Sequence, residues 1–453
     1  MSKRITDLTR AESIMTDDFM MVDSPTGGSR KYPVNTLIAA AAAAQSPLLD
    51  DWSQAAAYIA AGLGEVYFPV ASRVTEAWST AASSGASAVS YDAVLNVVNH
   101  AAGALADGDG TPVVEFQFDK CLPFDTPFSA QQAFLYAIDG LPAGTYNVTM
   151  GFSWGGNVVS GKTYQFTLTQ ALPAGGQLAG FRGAPDVAPE NWRVYAYASP
   201  AATAETETCV VTEGSGGTSL GTFTAAGVAV PASGTPETSS TVTVSGTSYR
   251  FYGLNSLHRV AYGNNRWLHS AIRQYLNSSG FNWYKAQTVF DRPPSYVGRN
   301  GFLSGFSEEF LAHVLPIERK TAINYVTDGG TSASPLYDTT YDRFVLPSGK
   351  EHYLEPTAYY GGAEGLEGDY WPFWQRVAGT AAPLGWSTWG NESTYHPEYV
   401  QYDIASPTAA RSVWLRSAYR GAGGGVGVVF SAGGCGSSTA SGGCRVAPAC
   451  AIG

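Results

Sequence analysis

Residues 412–453 read SVWLRSAYRGAGGGVGVVFSAGGCGSSTASGGCRVAPACAIG. The stretch opens on an apolar and basic cluster, VWLRSA at 413–418, and then runs through glycine, serine, alanine and cysteine. One reading of that composition is a flexible Gly/Ser tail. The other rests on the islands WLRSA (414–418), RG (420–421), SAG (431–433) and APACAIG (447–453), which look like a fixed frame carrying small residues between its members. GAGGGVG at 421–427 fails the dinucleotide-binding pattern, because Val426 stands where the last glycine is required and no strand-then-helix frame surrounds it.

The rest of the chain bounds what this segment can belong to. A length of 453 residues allows about three domains, each able to bury a core. Hydrophobic residues make up 44% and aromatics 13%, too much for a disordered chain. The net charge of −11, with no basic run, argues against electrostatic binding of nucleic acid. MSKRITDLTRAESIMTDDFMM has acidic residues where a secretory signal needs an unbroken apolar stretch, so synthesis in the cytoplasm is expected. The alanine run 39–44 is too short to span a bilayer, and no membrane insertion is expected. Cys121, Cys209, Cys435, Cys444 and Cys450 are too few and too scattered for a disulfide framework.

Four regions follow in chain order. In residues 1–45, FMMVD, the turn signal SPTGGS and KYPVNTLI read as a hairpin leading into a short helix, with too little core to stand alone. Residues 46–110 form a mixed connector, whose helix starts after Asp51 and is broken by Gly62 and Gly64. Residues 111–250 alternate apolar and polar side chains in short runs between Gly, Pro and Asn; in TYQFTLT, Tyr164, Phe166 and Leu168 share one face. Strands at that spacing predict an antiparallel β-sandwich. Residues 251–453 are of another character. Trp267, Ala271, Ile272, Tyr275 and Leu276 share a helical face, with Asn264 or Asn265 as cap and Gly280 as terminator. A second helix is expected from Ser307, with Glu308 and Glu309 at its positive end, stopping before Pro316. SPLYDTTYDRFVLPSGKEHYLEP, EGDYWPFWQRV and GWSTWGNESTYH read as long loops pinned by Trp and Tyr.

No catalytic pattern emerges. There is no phosphate-binding loop and no G-x-S-x-G elbow. His100, His258, His269, His313, His352 and His396 lack metal-ligand spacing, so neither a metal nor a cofactor is expected. Glu308 with Glu309, or Glu364 with Glu367, could in principle serve a glycosidase, but adjacent acids at a helix start are usually caps.

RVAYGNNRWLHSAIRQYLN, YDTTYDRFVLPS, EGDYWPFWQ, VWLRSA and RVAPACAIG together resemble the C-terminal half of the variable proteins diversified by retroelements in phages of gut bacteria. WSQAAAYIAAGLGEVYFPV, KCLPFDTPFSAQQAF and YQFTLTQALPAGGQL resemble the middle of the same proteins, and the N-terminal unit resembles a tail-fibre anchor. The resemblance implies a multidomain, β-rich chain: a small N-terminal anchor, an antiparallel β-sandwich middle, and an α+β C-type lectin-like domain of the formylglycine-generating-enzyme variety over 251–453. It also implies a variable region at about 414–453. In that family adenine rewriting of template asparagine codons excludes Lys, Glu, Gln, Met and Trp, and residues 417–453 contain none of these five.

On the family pattern, the varying and hence ligand-binding positions are Tyr419, Ala422, Gly424, Gly425, Val428, Phe430, Gly434, Gly436, Ser437, Ser438, Thr439, Gly442 and Cys444. Trp414, Leu415, Arg416, Arg420, Arg445, Pro448 and Cys450 match the frame. The varying side chains are expected to face solvent and the frame to be buried. Only Tyr419 and Phe430 are aromatic, so this variant has few of the usual binding anchors. The implied function is a non-enzymatic receptor-binding or tail-fibre protein of the virion. Its expected partners are a protein or glycan receptor on the bacterial host, other tail proteins through the N-terminus, and two further copies in a homotrimer. A tail-associated carbohydrate-active enzyme and a structural decoration protein are the alternatives.

Overall fold

The computed structural model describes residues 51–132 and 259–453, apart from 84–85, 103–109, 260–261, 289, 332, 356–366 and 386–395, together with the strands within 19–33 and 134–253. The protein is β-rich, with short helices and mostly antiparallel sheets. Near the N-terminus, Phe19–Ser24 pairs antiparallel with Gly28–Pro33, the hairpin that the SPTGGS turn signal encodes. The short helix expected after it lies outside the described residues.

The first described helix, Trp52–Tyr58, starts where Asp51 accepts hydrogen bonds from the amides of Ser53 and Gln54 at 2.8 and 3.3 Å. Its Trp52, Ala55 and Ala56 are buried, and Gly62, at φ 74°, turns the chain out of it. The chain then enters the main sheet. Arg73–Thr80 alternates outward and inward residues and lays Val74, Glu76 and Trp78 on the core. It pairs with Val89–Ala102, which pairs with Pro112–Phe118.

The next strand in that sheet comes from the far end of the sequence. Ala449–Ile452 pairs antiparallel with Pro112–Phe118, setting Cys450 opposite Phe116, and on its other side it pairs with Val314–Leu315 and Phe344–Val345. Paired along both edges and buried on both faces, it reads as the continuous small and apolar run ACAI rather than as an alternating one. The boundaries expected at 110 and 250 are therefore not where this body divides. Residues 51–132 and 259–453 share one sheet and one core, because one edge of Pro112–Phe118 finds its partner more than three hundred residues away.

That core is dominated by aromatic rings. Phe302 meets Phe306 and Phe344 edge-on at 5.1 and 5.0 Å, Trp52 tilts against Phe310 at 4.8 Å, and Trp78 donates its indole N–H to the Phe302 carbonyl at 3.2 Å. Each such ring contributes about 1.5–3 kcal/mol by burial. Helix Ala271–Leu276 presents Ala271, Ile272, Tyr275 and Leu276 to this core as its sequence pattern requires. Its cap, however, is Ser270, whose Oγ accepts from the Arg273 amide at 3.2 Å; neither Asn264 nor Asn265 caps it, and it ends at Leu276, before Gly280. Glu308–His313 starts from Ser307 and stops before Pro316 as its sequence indicates. Pro372–Ala378 is a helix where a loop was expected. Pro372 sits in its first turn, Gly379 ends it at φ 63°, and Trp374 drives it onto the core by donating to Gln117 Oε1 at 2.9 Å.

The strands within 134–253, which fall between residues 132 and 259 in sequence, make a six-stranded sheet and a three-stranded one. One pair, Thr218–Ala225 with Gly144–Trp154, is parallel, a departure from the expected all-antiparallel arrangement. Among the described residues, no helix is long and apolar enough to cross a membrane.

Candidate functional site

The segment read as variable is a folded sheet. Val413–Ala418 pairs with Gly425–Val429, which pairs with Cys435–Thr439, and turns at 419–424 and 430–434 connect them. Val413–Ala418 is buried at every position. Trp414 is 1% exposed, meets Phe128 edge-on at 6.0 Å and donates its indole N–H to the Thr126 carbonyl at 2.8 Å.

Arg416 is wholly buried and satisfied on every side. Its guanidinium clasps both carboxylate oxygens of Glu351, and it donates to the carbonyls of Leu346 and Glu367 at 3.0 and 2.8 Å and to Thr321 Oγ1 at 3.2 Å. Burial alone would raise Glu351, but the charges of Arg416 and Arg319 overcome it and hold the carboxyl below its usual range. Glu367 lies in the same pocket, taking hydrogen bonds from Ser417 Oγ at 2.5 Å and the Ala322 amide at 2.8 Å; burial pushes it up to about 7. This network ties the first strand of the sheet to the segments at 321–322, 346–351 and 367.

The turn at 419–424 is held by side chains from elsewhere. Asn265, fully buried, donates through Nδ2 to the carbonyls of Ala422 and Gly425, each at 2.8 Å, and more weakly to that of Tyr419 at 3.2 Å. Asn324 donates to Asn265 Oδ1 at 2.9 Å and so fixes which face of the amide points at the turn. The Tyr325 amide donates to the Arg420 carbonyl at 3.0 Å. The Asn265 and Tyr325 bonds end on backbone carbonyls of the turn and of the first residue of the next strand, and the buried Arg420 side chain adds a bond of its own to the Thr331 carbonyl at 2.7 Å. The path of the chain there therefore does not depend on the side chains at 419, 422 and 424.

The expected solvent-facing positions divide. Tyr419, Phe430, Ser437, Ser438, Thr439 and Gly442 are half-buried, with the Ser437 hydroxyl itself enclosed. Ala422, Gly424, Gly425, Val428, Gly434, Gly436 and Cys444 are buried, against expectation. The reason is the central place of Gly425–Val429: paired on both edges, with Val428 directly across from Trp414, it puts Val428 into the core at 0% exposure. Along Cys435–Thr439, Ser437 and Thr439 share one face, and Ser438 takes the other, where it hydrogen-bonds the Cys444 thiol. The frame residues Trp414, Leu415, Arg416, Arg420, Pro448 and Cys450 are buried and Arg445 half-buried.

The glycines of the site differ in what they tolerate. A Cβ on Gly434 would touch only the Phe430 ring, at 3.8 Å, whereas one on Gly442 would come within 2.9 Å of the Thr439 carbonyl and one on Gly425 within 3.0 Å of Tyr419 Cβ. Burial pushes the thiols of Cys121, Cys435 and Cys444 up to about 12 and that of Cys450 higher still, so none is a nucleophile at neutral pH. Among the described residues, no group of three His, Cys, Asp or Glu side chains is placed to hold a metal ion. Asn265 is the residue that sequence reasoning missed. It stands in GNN before a helix, where a capping role is the ordinary inference, and nothing local signals a partner at 422.

Residues 247–453 match a family described as a domain of unknown function (DUF6273). No curated protein and no solved structure matches the chain. The matched segment is similar to that family over somewhat less than half of the sequence, and it includes the whole of the three-stranded sheet just described while leaving out Pro112–Phe118, the strand against which its last strand pairs.

Proposed function

We propose that the protein is a phage receptor-binding or tail-fibre protein that presents a retroelement-diversified surface to a receptor on its bacterial host, and that it is not an enzyme. The N-terminal hairpin attaches to the virion, the strands within 134–253 space and orient, and three copies multiply a weak contact. The observation that carries this reading is the turn at 419–424, whose carbonyls are gripped by Asn265 and by the Tyr325 amide. A surface meant to change its side chains needs a backbone held by something that does not change. The absence of Lys, Glu, Gln, Met and Trp from 417–453 supports it. On this reading the contact residues are Tyr419, Phe430, Thr439 and Gly442, the Ser437 hydroxyl being enclosed and Ser438 turned to the Cys444 thiol.

A carbohydrate-active enzyme would need two carboxylates facing each other across an open cleft. Glu351 and Glu367 approach one another but are buried and occupied by Arg416 and Ser417. The test has two parts. The gene's surroundings are sequenced for a reverse transcriptase and a near-copy of the segment encoding 412–453, with mismatches confined to adenines. Purified protein is then assayed for adsorption to candidate host cells, alone and after Phe430→Ala and Thr439→Ala. A template repeat with adsorption weakened by the substitutions supports the proposal; absence of the repeat together with adsorption indifferent to both substitutions refutes it.

A further inference from the structure

Beside the Gly442–Arg445 end of the sheet lies a cleft of about 240 Å³, lined by Phe124, Asp125, Ser295, Tyr296 and Arg299 among others. Its floor is rigid. Tyr296 is 4% exposed, stacks on Trp283 at 5.5 Å and donates its hydroxyl to the Pro127 carbonyl at 2.9 Å. The Arg299 backbone is pinned by the Trp283 indole, which donates to its carbonyl at 2.9 Å, and by its own amide, which donates to the Tyr296 carbonyl at 3.0 Å.

The Arg299 guanidinium carbon sits over the Phe124 ring, 3.7 Å from its centroid. A guanidinium held this way keeps its N–H edge free to donate in the plane. Arg73, Arg259, Arg266, Arg273, Arg319, Arg411, Arg416 and Arg445 have a carboxylate partner; Arg299, like Arg343 and Arg376, has none among the described residues, and of these three it is the one that lines the cleft. Its charge is partly desolvated and is repelled by Arg445, yet it stays protonated at any physiological pH. Across the cleft, Asp125 leaves 62% of its side chain exposed, and Arg445 neutralises it from 3.2 Å. Arg445 also approaches Asp403, which Arg411 pairs, so that three arginines, Arg299, Arg411 and Arg445, against Asp125 and Asp403 leave one positive charge in excess.

We propose that this cleft binds an acidic monosaccharide residue, Arg299 taking the acid group in a two-point contact and Asp125 and Ser295 taking ring hydroxyls. The volume falls below the roughly 300 Å³ at which pockets for drug-sized ligands begin, and suits one sugar ring. An acidic sugar places an anion and several hydroxyl donors on one small ring, which is what an unpaired guanidinium facing a carboxylate acceptor would recognise. The cleft uses none of the positions read as variable except through its neighbour Cys444, so this inference stands or falls independently of what the diversified surface binds.

The test is titration of the full-length protein with glucuronate, N-acetylneuraminate, glucose 6-phosphate, glucose and acetate, followed by calorimetry or ligand-observed NMR. At least one acidic sugar should bind, more weakly as salt rises, while glucose and acetate do not. Arg299→Ala should weaken that binding at least tenfold, and Ser295→Trp, at an exposed position on the rim, should abolish it with an unchanged melting temperature. Preference for glucose 6-phosphate over the carboxylates would identify the acid group as a phosphate and support the proposal. Glucose or acetate binding as well as the acidic sugars, failure of every acidic sugar to bind, or Ser295→Trp leaving binding intact would overturn it.

Discussion

Asn265 Nδ2 lies 2.8 Å from the carbonyl oxygens of both Ala422 and Gly425, residues more than 150 positions further along the chain. One buried amide thereby closes the turn that carries Tyr419 and joins the first two strands of the C-terminal sheet. Replacing it with alanine takes from the buried Ala422 carbonyl its side-chain donor, at about 1–3 kcal/mol, while the Gly425 carbonyl keeps the Tyr419 amide at 2.9 Å. Asn265→Ala should therefore lose about 1–3 kcal/mol in urea unfolding. A loss below about 0.5 kcal/mol would show that the turn holds its own shape.

The division between reachable and buried positions can be read by substitution. Val428→Ala, in the core beside Trp414, should cost about 2 kcal/mol, and Trp414→Ala about 3–5 kcal/mol. Thr439→Ala and Gly434→Ala should each stay within about 0.5 kcal/mol, because the first is half-buried and the second meets only an ordinary contact with Phe430. Gly442→Ala, pressed against the Thr439 carbonyl, should cost more than Gly434→Ala. Thermal or urea unfolding of the five variants checks the order; equal losses at Thr439 and Val428 would dissolve the distinction.

Glu367 provides a pH signature. Its folded value, about 7, lies above the ordinary 4.5, because burial disfavours the charged form. The folded chain therefore holds a proton that the unfolded chain has released, and this contribution is fully present below about 4.5 and lost as pH rises to about 7. Glu367→Gln should gain on the wild type by on the order of 3 kcal/mol between pH 4.5 and pH 8. His352, which burial lowers to about 3, pulls the opposite way between that value and 6.5. Comparing the two proteins at each pH cancels its effect. A stability difference independent of pH would mean that Glu367 is charged in the folded protein at neutral pH.

A fragment spanning 247–453 should fail to fold alone. It would expose the edge of Ala449–Ile452 and leave Phe302, Phe306 and Phe310 without Trp52, Trp78, Phe116 and Phe118. Near-UV circular dichroism should show no fixed aromatic environment until residues 51–132 are supplied. A native-like spectrum from the fragment by itself would contradict the shared core.

What the sequence by itself determined was local. The caps at Asp51 and Ser307, the stop before Pro316, the pairing of Phe19–Ser24 with Gly28–Pro33, and the apolar frame around Trp414 each depend on residues within a few positions of one another, and spacing reports them directly. Everything that required a distant partner was decided by tertiary structure. Phe116 looks like one inward residue of an early strand, and only the fold places it opposite Cys450. Asn265 looks like a helix cap until the turn at 422 arrives beside it. Val428 carries no mark that separates it from an exposed valine, because its burial comes from the strands on either side, one of which sets Trp414 directly across from it. Arg299 becomes a free charge in a cleft only because Phe124, far away in sequence, supplies the ring on which it lies. Hydrogen-bond caps and hydrophobic periodicity act over a turn or a strand, whereas pairing, burial and ion-pair partnership depend on which segments the collapsed chain brings together.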